Sequence, residues 1–301
     1  MTARVVVLLA TFNGMPWLPE QVQSILAQEG VDVRLVVRDD GSTDGTLDWL
    51  RAADDPRIRV LEPGAPSGSA AGNFYRLLTE VQLDDADYVA LADQDDVWIP
   101  DKLSRHVELL GSGELAAVSS NVVYFDEPGR EHLIRKDFPP RRFDYLLESP
   151  GPGSTFLMTR RLADATRHLL EREPLAHEVG YHDWLIYALA RGSGWGWHID
   201  ATPSVRYRQH DSNAMGANVG ARSAAARLSL ITRRWHRSQA RLLADLLVDR
   251  GAPDPDLPRL RELLANTGWR ARLALARRCG DLRRRPRDRA LIAFLVVTGI
   301  W

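Results

Sequence analysis

Asp93-Gln94-Asp95-Asp96-Val97-Trp98 sets three carboxylates within four residues, directly behind the apolar run Tyr88-Val89-Ala90-Leu91-Ala92. Like charges this close raise one another's pKa and repel unless a cation sits among them. Oxygen-only ligation suits Mg²⁺ or Mn²⁺, which bind through one or two carboxylates and let substrate phosphates complete the shell. The cluster thus reads as a seat for a divalent ion carrying a phosphate ester. The plainer alternative is an acidic turn that ends a strand and caps the next helix at Pro100-Asp101.

The elements around the cluster bear on that choice. Residues 5–9 form an unbroken, mostly β-branched run that predicts a strand buried on both faces. Residues 33–37, 58–61 and 87–92 predict three more. Between them, Leu18, Val22, Ile25 and Leu26 recur at helical spacing behind Pro16. Ser42 or Thr43 can cap a helix carrying Leu47, Trp49 and Leu50, and a small-residue loop at 66–72 precedes a helix with Phe74, Leu77, Leu78 and Val81 on one face. This alternation predicts an α/β fold with a parallel sheet wrapped by helices, whose ligands bind at the carboxyl ends of the strands. The polar signals fall there: Thr11 and Asn13 after the first strand, Asp39 and Asp40 after the second, Asp93 and Asp95 after the fourth.

The second half is less regular. Strands are expected at 115–124, at 154–158 behind the turn Pro150-Gly151-Pro152-Gly153, and at 195–199 and 204–207; helices are expected at 162–170 and from His182. From about residue 222 the pattern is helical and arginine-rich, with 18 arginines against 7 acidic residues in 222–289, a local charge of +11 that leaves −12 for the rest.

With 301 residues, 45% apolar and 26% charged, disorder is excluded as the main state, and the single cysteine, Cys279, rules out an internal disulfide framework or a cysteine-rich zinc site. No apolar run reaches the roughly 18–20 residues that span a bilayer, and no signal-peptide core of adequate length is visible, so a cytoplasmic location is the default expectation. Aromatic residues do not interleave with the arginines of the tail, so no specific nucleic-acid partner is expected. Arg283-Arg284-Arg285-Pro286-Arg287 followed by the apolar residues 290–297 suggests instead peripheral contact with an anionic membrane, at the inner face of the plasma membrane; an oligomer contact or a solvated helical face are the alternatives.

Five strings together resemble a known family. Ala10-Thr11-Phe12-Asn13-Gly14, Asp39-Asp40-Gly41-Ser42-Thr43-Asp44, the acidic hexapeptide, His182-Asp183-Trp184 and Tyr207-Arg208-Gln209-His210 occur in the order and spacing of family 2 glycosyltransferases of the GT-A fold, and the hexapeptide together with Tyr207-Arg208-Gln209-His210 and Asn213 is most similar to the bacterial rhamnosyltransferase-like branch. The resemblance covers roughly residues 4–220. It implies a GT-A catalytic domain at 1–220 and a helical appendage at 221–301. It also implies inverting, metal-dependent transfer of a sugar such as rhamnose from a dTDP- or UDP-linked donor to a saccharide or lipid-linked saccharide, in cell-surface polysaccharide assembly.

Position by position, the resemblance implies that Thr11 and Asp40 hold the nucleotide base, with Asp39 and Asn13 beside them. Asp93 would lie near ribose and metal, Asp95 would ligate Mg²⁺ or Mn²⁺, and Asp183 would be the catalytic base. Gly153 and Ser154 would form a loop near donor sugar and acceptor. His210 reads as a metal ligand or a structural histidine, Arg208 as a partner of the diphosphate or of an acid, and Asn73 as a nucleotide contact or a helix cap. Two rival functions are a sugar nucleotidyltransferase, disfavoured because the loop at Thr11-Phe12-Asn13-Gly14 holds no Arg or Lys, and a catalytically inactive binding module, disfavoured by Asp95 and Asp183.

Overall fold

A computed structural model describes residues 2–83, 85–111, 113–125, 130–208 and 234–301. Strand β1 (Ala3–Thr11) pairs in parallel with β2 (Val31–Asp39) on one side and β4 (Tyr88–Asp93) on the other, and β3 (Ile58–Val60) extends β2. Helices α1 (Leu18–Leu26) and α2 (Thr46–Ala52) pack on one face of this sheet, against Val5, Val7 and Leu9. Helix α3 (Ala70–Glu80) packs on the other, against Val6, Leu8 and Ala10. With β2 and β4 flanking β1 and their helices on opposite faces, a crevice opens at the carboxyl ends of β1 and β4, where open α/β sheets bind ligands.

Beyond β4 the sheet becomes mixed, with the order β3-β2-β1-β4-β8-β6-β9-β5 and β7 paired to β6. Here β5 is Val97–Trp98, β6 Leu115–Phe125, β7 Glu131–Ile134, β8 Leu157–Thr159 and β9 Gly196–Arg208. Helix α4 (Lys102–Leu110) precedes β6, α5 (Arg160–Arg172) follows β8, and α6 (His182–Gly192) precedes β9. The two strands expected at 195–199 and 204–207 are one: β9 runs parallel to β6, and the register shift between Ser120/Asp200 and Val122/Val205 absorbs Ala201-Thr202-Pro203 as a bulge. The strand expected from residue 154 begins only at 157, because Gly153–Thr155 closes a 3-10 turn first.

The arginine-rich region folds into α7 (Trp235–Asp249), α8 (Leu257–Ala265), α9 (Trp269–Arg277), α10 (Cys279–Leu282) and α11 (Pro286–Thr298). Its Leu243, Leu247, Leu260 and Leu264 belong to the same apolar core as α3 and α6, each burial contributing about 1.5–3 kcal/mol relative to exposure. Gly192 lets α6 and α7 meet, since a Cβ there would lie 2.6 Å from Leu247 Cδ1. The charge run is not simply a solvated face. Arg237 is buried and its guanidinium donates to the carbonyls of Leu263, Leu264, Asn266 and Trp301, capping the end of α8. Among the described residues no helix is long and apolar enough to cross a membrane.

Candidate active site

Loops at the ends of β1, β2 and β4 are stitched together residue by residue. Gln94 pairs with the backbone of Phe12, accepting from its N–H at 2.8 Å and donating to its carbonyl at 2.9 Å. Gly14 leaves the room this requires, because a Cβ there would fall 2.2 Å from Gln94 Oε1. Asn13, at φ 49°, donates its N–H to Ser42 and accepts from the Thr43 N–H, both at 2.8 Å. Asn and Asp tolerate this left-handed conformation better than other side chains. Thr11 donates to Asp39 at 2.9 Å, and Asp39 also accepts from the N–H groups of Gly41 and Ser42.

Asp40, one residue past the end of β2, is buried as well. Burial pushes its carboxyl up, but the Ser67 and Gly68 N–H groups and the Arg38 guanidinium outweigh burial and leave it below the usual carboxylate range. It also anchors the small-residue loop expected at 66–72. Arg38 is 1% exposed and donates to both Asp40 (3.0 Å) and Asn73 (2.9 Å). The Asn73 amide in turn donates to the carbonyls of Thr11 and Arg38. Asn73 thus lies behind Thr11 and Asp40, with its amide engaged in holding the ends of β1 and β2.

The acidic hexapeptide divides in two. Asp93 and Asp95 are partly accessible in the crevice; burial, and then the charges of Asp95 and Asp183, push Asp93 up to about 7. Asp96 turns inward, is buried, and is pushed well above the usual range by burial and by Asp95 and Asp93. Lys102 lies beneath, fully buried at the start of α4, donating its ammonium to the Ser154 carbonyl and sitting 3.1 Å over the Trp98 ring. Burial lowers its pKa, while Asp96 and Asp93 work in the opposite direction.

Asp183 stands at the start of α6, facing the crevice from another segment. Ser149 donates to one of its oxygens at 2.9 Å and the Trp184 N–H to the other at 2.8 Å. Burial raises its pKa against these bonds and the nearby Lys136 ammonium, which strengthens it as a base. His182 stacks on Phe74 with centroids 3.9 Å apart, and burial lowers it to about 3, so it is neutral. It abuts Gly153, where a Cβ would sit 2.4 Å from His182 Nε2. Gly153→Ala is therefore expected to displace the 153–155 turn and lower any turnover at this site by about tenfold or more, a misplacement effect to be read in kcat.

Arg208 ends β9 against the acidic loop, donating to the Asp95 carbonyl at 3.2 Å and pairing with Glu20. His210 lies outside the described residues. Of the sequence-derived candidates, Thr11, Asn13, Asp39, Asp40, Asp93, Asp95, Gly153, Ser154, Asp183 and Arg208 gather around one crevice. Sequence reasoning passed over Arg38, Gln94, Lys102, Lys136, Ser149 and the half-exposed Phe12 at the rim. A signal existed for two of them: Arg38 interrupts an apolar strand, and Lys102 shares one helical face with His106 and Leu110.

The model of Glycosyl transferase family 2 matches residues 6–167. The dTDP-rhamnosyl transferase RfbG of Shigella flexneri is 32% identical over 97% of this chain and 100% of its own length. The chain belongs to glycosyltransferase family 2. The UDP-Glc:alpha-D-GlcNAc-diphosphoundecaprenol beta-1,3-glucosyltransferase WfgD of Escherichia coli is 23% identical over 60% of the chain and 67% of its own length. Among solved structures, S. aureus TarS 1-349 in complex with UDP-GlcNAc aligns with TM-score 0.56 at 12% identity, over 99% of this chain and 90% of that one. The mannosyltransferase PcManGT from Pyrobaculum calidifontis, in complex with GDP-Man and Mn²⁺, aligns with TM-score 0.54 at 19% identity, over the whole chain and 81% of that one. These likenesses bear out the GT-A architecture. As a family 2 glycosyltransferase the protein is an enzyme of the rhamnosyltransferase-like kind, and both rival functions fall away.

Proposed function

We propose that this glycosyltransferase catalyses inverting, metal-dependent transfer of rhamnose from dTDP-rhamnose to a saccharide on a lipid carrier, within cell-surface polysaccharide assembly and at the cytoplasmic face of the membrane. The observation that carries the reading is the meeting of two separate carboxylate sets in one crevice: Asp93 and Asp95 from β4, and Asp183 from α6, close enough that the charge of Asp183 raises Asp93. The full-length likeness to a protein named for dTDP-rhamnosyl transfer supports the donor. A relative named for a diphosphoundecaprenol acceptor supports the lipid carrier.

The donor set fits Mg²⁺ or Mn²⁺. Among the described residues no group of three metal-ligating side chains occurs, but two mutually repelling carboxylates are what a hard divalent ion uses, with substrate phosphates completing the shell. Asp95 would hold it with Asp93, and a bound ion would supply Lewis-acid neutralisation of the charge that gathers on the departing diphosphate. The chain's own residues do the rest. Asp40, Asp39, Thr11 and Asn13 shape the nucleotide end; the 153–155 turn sets where the sugar lies; Asp183 takes the proton of the acceptor hydroxyl as it attacks the anomeric carbon from the face opposite the leaving group, which inverts that centre.

Transfer from dTDP-rhamnose is the direct test, in which Asp95→Ala or chelation should remove activity, and unchanged turnover after either would refute the metal role. A thermal-shift panel of dTDP-, UDP- and GDP-sugars identifies the donor, and a preference for a purine nucleotide would overturn the pyrimidine assignment. The raised Asp93 adds a pH signature. Its proton is held up to about 7 in the folded chain against an ordinary value of 3.8, so its contribution to stability falls as pH rises between those values. The rise in Tm on adding Mg²⁺ or Mn²⁺ is accordingly expected to be larger at about pH 8 than at about pH 5.5, and Asp93→Asn should flatten that difference.

A further inference from the structure

The arginine run at 283–285 folds back onto the 147–149 segment beside Asp183. Arg283 donates to the Leu147 carbonyl, and Arg284, 4% exposed, donates to the Ser149 carbonyl and lies 3.3 Å from Glu148. Ser149 is the residue that holds Asp183. Next to this contact, between the end of β7 and the first turn of α11, a cleft of about 550 Å³ opens. It is lined by three arginines, Arg135, Arg285 and Arg287, together with Leu133, Ile134, Phe138 and Pro286.

The charges in the cleft are crowded and only partly answered. Arg135 and Arg285 lie 4.8 and 4.6 Å from the same Phe138 ring, and Arg285 donates to the Arg135 carbonyl. Arg135 pairs with Asp137 and the largely exposed Arg287 with Asp288. Among the described residues no carboxylate lies within 4.0 Å of the Arg285 guanidinium. Burial and the neighbouring Arg287 and Arg283 pull its pKa down, against Asp288 and Glu148. Two chain neighbours connect the cleft to the base: Lys136, beside Arg135, faces Asp183, and Arg284, beside Arg285, holds Ser149. Moreover Arg287, Leu291 and Phe294 recur at i, i+4 and i+7 on one face of α11, and Leu291 and Phe294 are 55% and 61% exposed.

We propose that this cleft is the acceptor's phosphate subsite: it binds the phosphate or diphosphate ester of a lipid-linked acceptor, whose chain lies along Leu291 and Phe294 while its sugar reaches Asp183. Arginine forks match phosphate oxygens bidentately, and a cation cluster beside an apolar stripe matches an anionic ester with a hydrocarbon tail. The proposal rests on the lipid-carrier reading above and adds where the carrier is held.

Farnesyl diphosphate is the probe, titrated in the presence of EDTA so that the metal end of the donor site cannot retain it. Binding is expected for farnesyl diphosphate and not for farnesol. Arg287→Glu, at an exposed position that folding does not need, should weaken binding by at least about tenfold, and Phe294→Asp should weaken farnesyl diphosphate but not inorganic pyrophosphate. Equal binding of farnesol, or no effect of Arg287→Glu, overturns the subsite. So does Arg287-dependent retention on phosphatidylglycerol vesicles without farnesyl diphosphate binding, which would assign the phosphate to a phospholipid headgroup. Stabilisation by dTDP, recorded on the same proteins, reports the donor site separately; its loss in the wild type would refute the donor reading and leave the cleft result standing.

Discussion

Asp183→Asn is expected to lower sugar transfer by about 10²- to 10⁴-fold while dTDP or UDP affinity stays within about twofold. An asparagine keeps the shape of the side chain, and the Trp184 N–H can still meet its oxygen as it meets Asp183 Oδ1 at 2.8 Å. What it cannot do is accept the acceptor's proton. The environment prepares the carboxylate to do so, since burial raises its pKa while the Ser149 bond and Lys136 restrain the rise. The acid limb of kcat/KM against pH should thus lie above the ordinary carboxylate range, rate being lost as pH falls through it. Retained transfer in the variant would refute the base assignment. Lost nucleotide affinity would show that Asp183 binds rather than catalyses.

Lys102→Met should destabilise the fold by about 1–3 kcal/mol, the cost of leaving the buried Ser154 carbonyl without its donor. Lys102 is fully buried beneath Asp96 and Asp93, whose charges oppose the downward pull of burial on its pKa, and its ammonium ties α4 to the Ser154 carbonyl. Methionine keeps the volume and loses the bond, so the 153–155 turn comes away from α4. Denaturant unfolding reads the loss, and saturating metal with dTDP should restore part of it, because binding to the folded state stabilises by mass action. A variant as stable as the wild type would refute the role of Lys102 in holding the Ser154 carbonyl. Lys102→Arg should fare no better than methionine despite keeping the charge, since the longer, forked head has no space in a fully closed site.

The contrast between Lys102 and Asp95 shows what could be read in advance. Strands at 5–9, 33–37 and 87–92 carry continuous apolar runs and helices their 3.6-residue spacing, so the alternation and the rim at which Thr11, Asp39, Asp40, Asp93 and Asp95 emerge were legible. The antiparallel direction of β8, the short β5 and β7, and the unbroken β9 were not, because two- to four-residue strands have no period to detect and Pro203 resembles a turn until β6 supplies its bulge. Asn73 shows the same limit. Its type and place suggested a nucleotide contact, and only Arg38, 35 residues away, decides that its amide faces inward.

By itself the sequence determined the α/β plan, the acidic cluster with its demand for a cation, and the five motifs by which the chain resembles family 2 glycosyltransferases. Each is local: a run, a period or a string whose meaning is complete within a dozen residues. The tertiary structure alone decided how three acids in a row divide between crevice and core, that Ser149 orients Asp183, and that Arg284 of a tail read as outward-facing supports that same serine. Those outcomes depend on charges and carbonyls brought together from 34 to 135 residues apart. A buried ion or a donated hydrogen bond at that separation leaves no periodic trace in the chain; it exists only once the core has closed and removed the water that would otherwise have satisfied both partners.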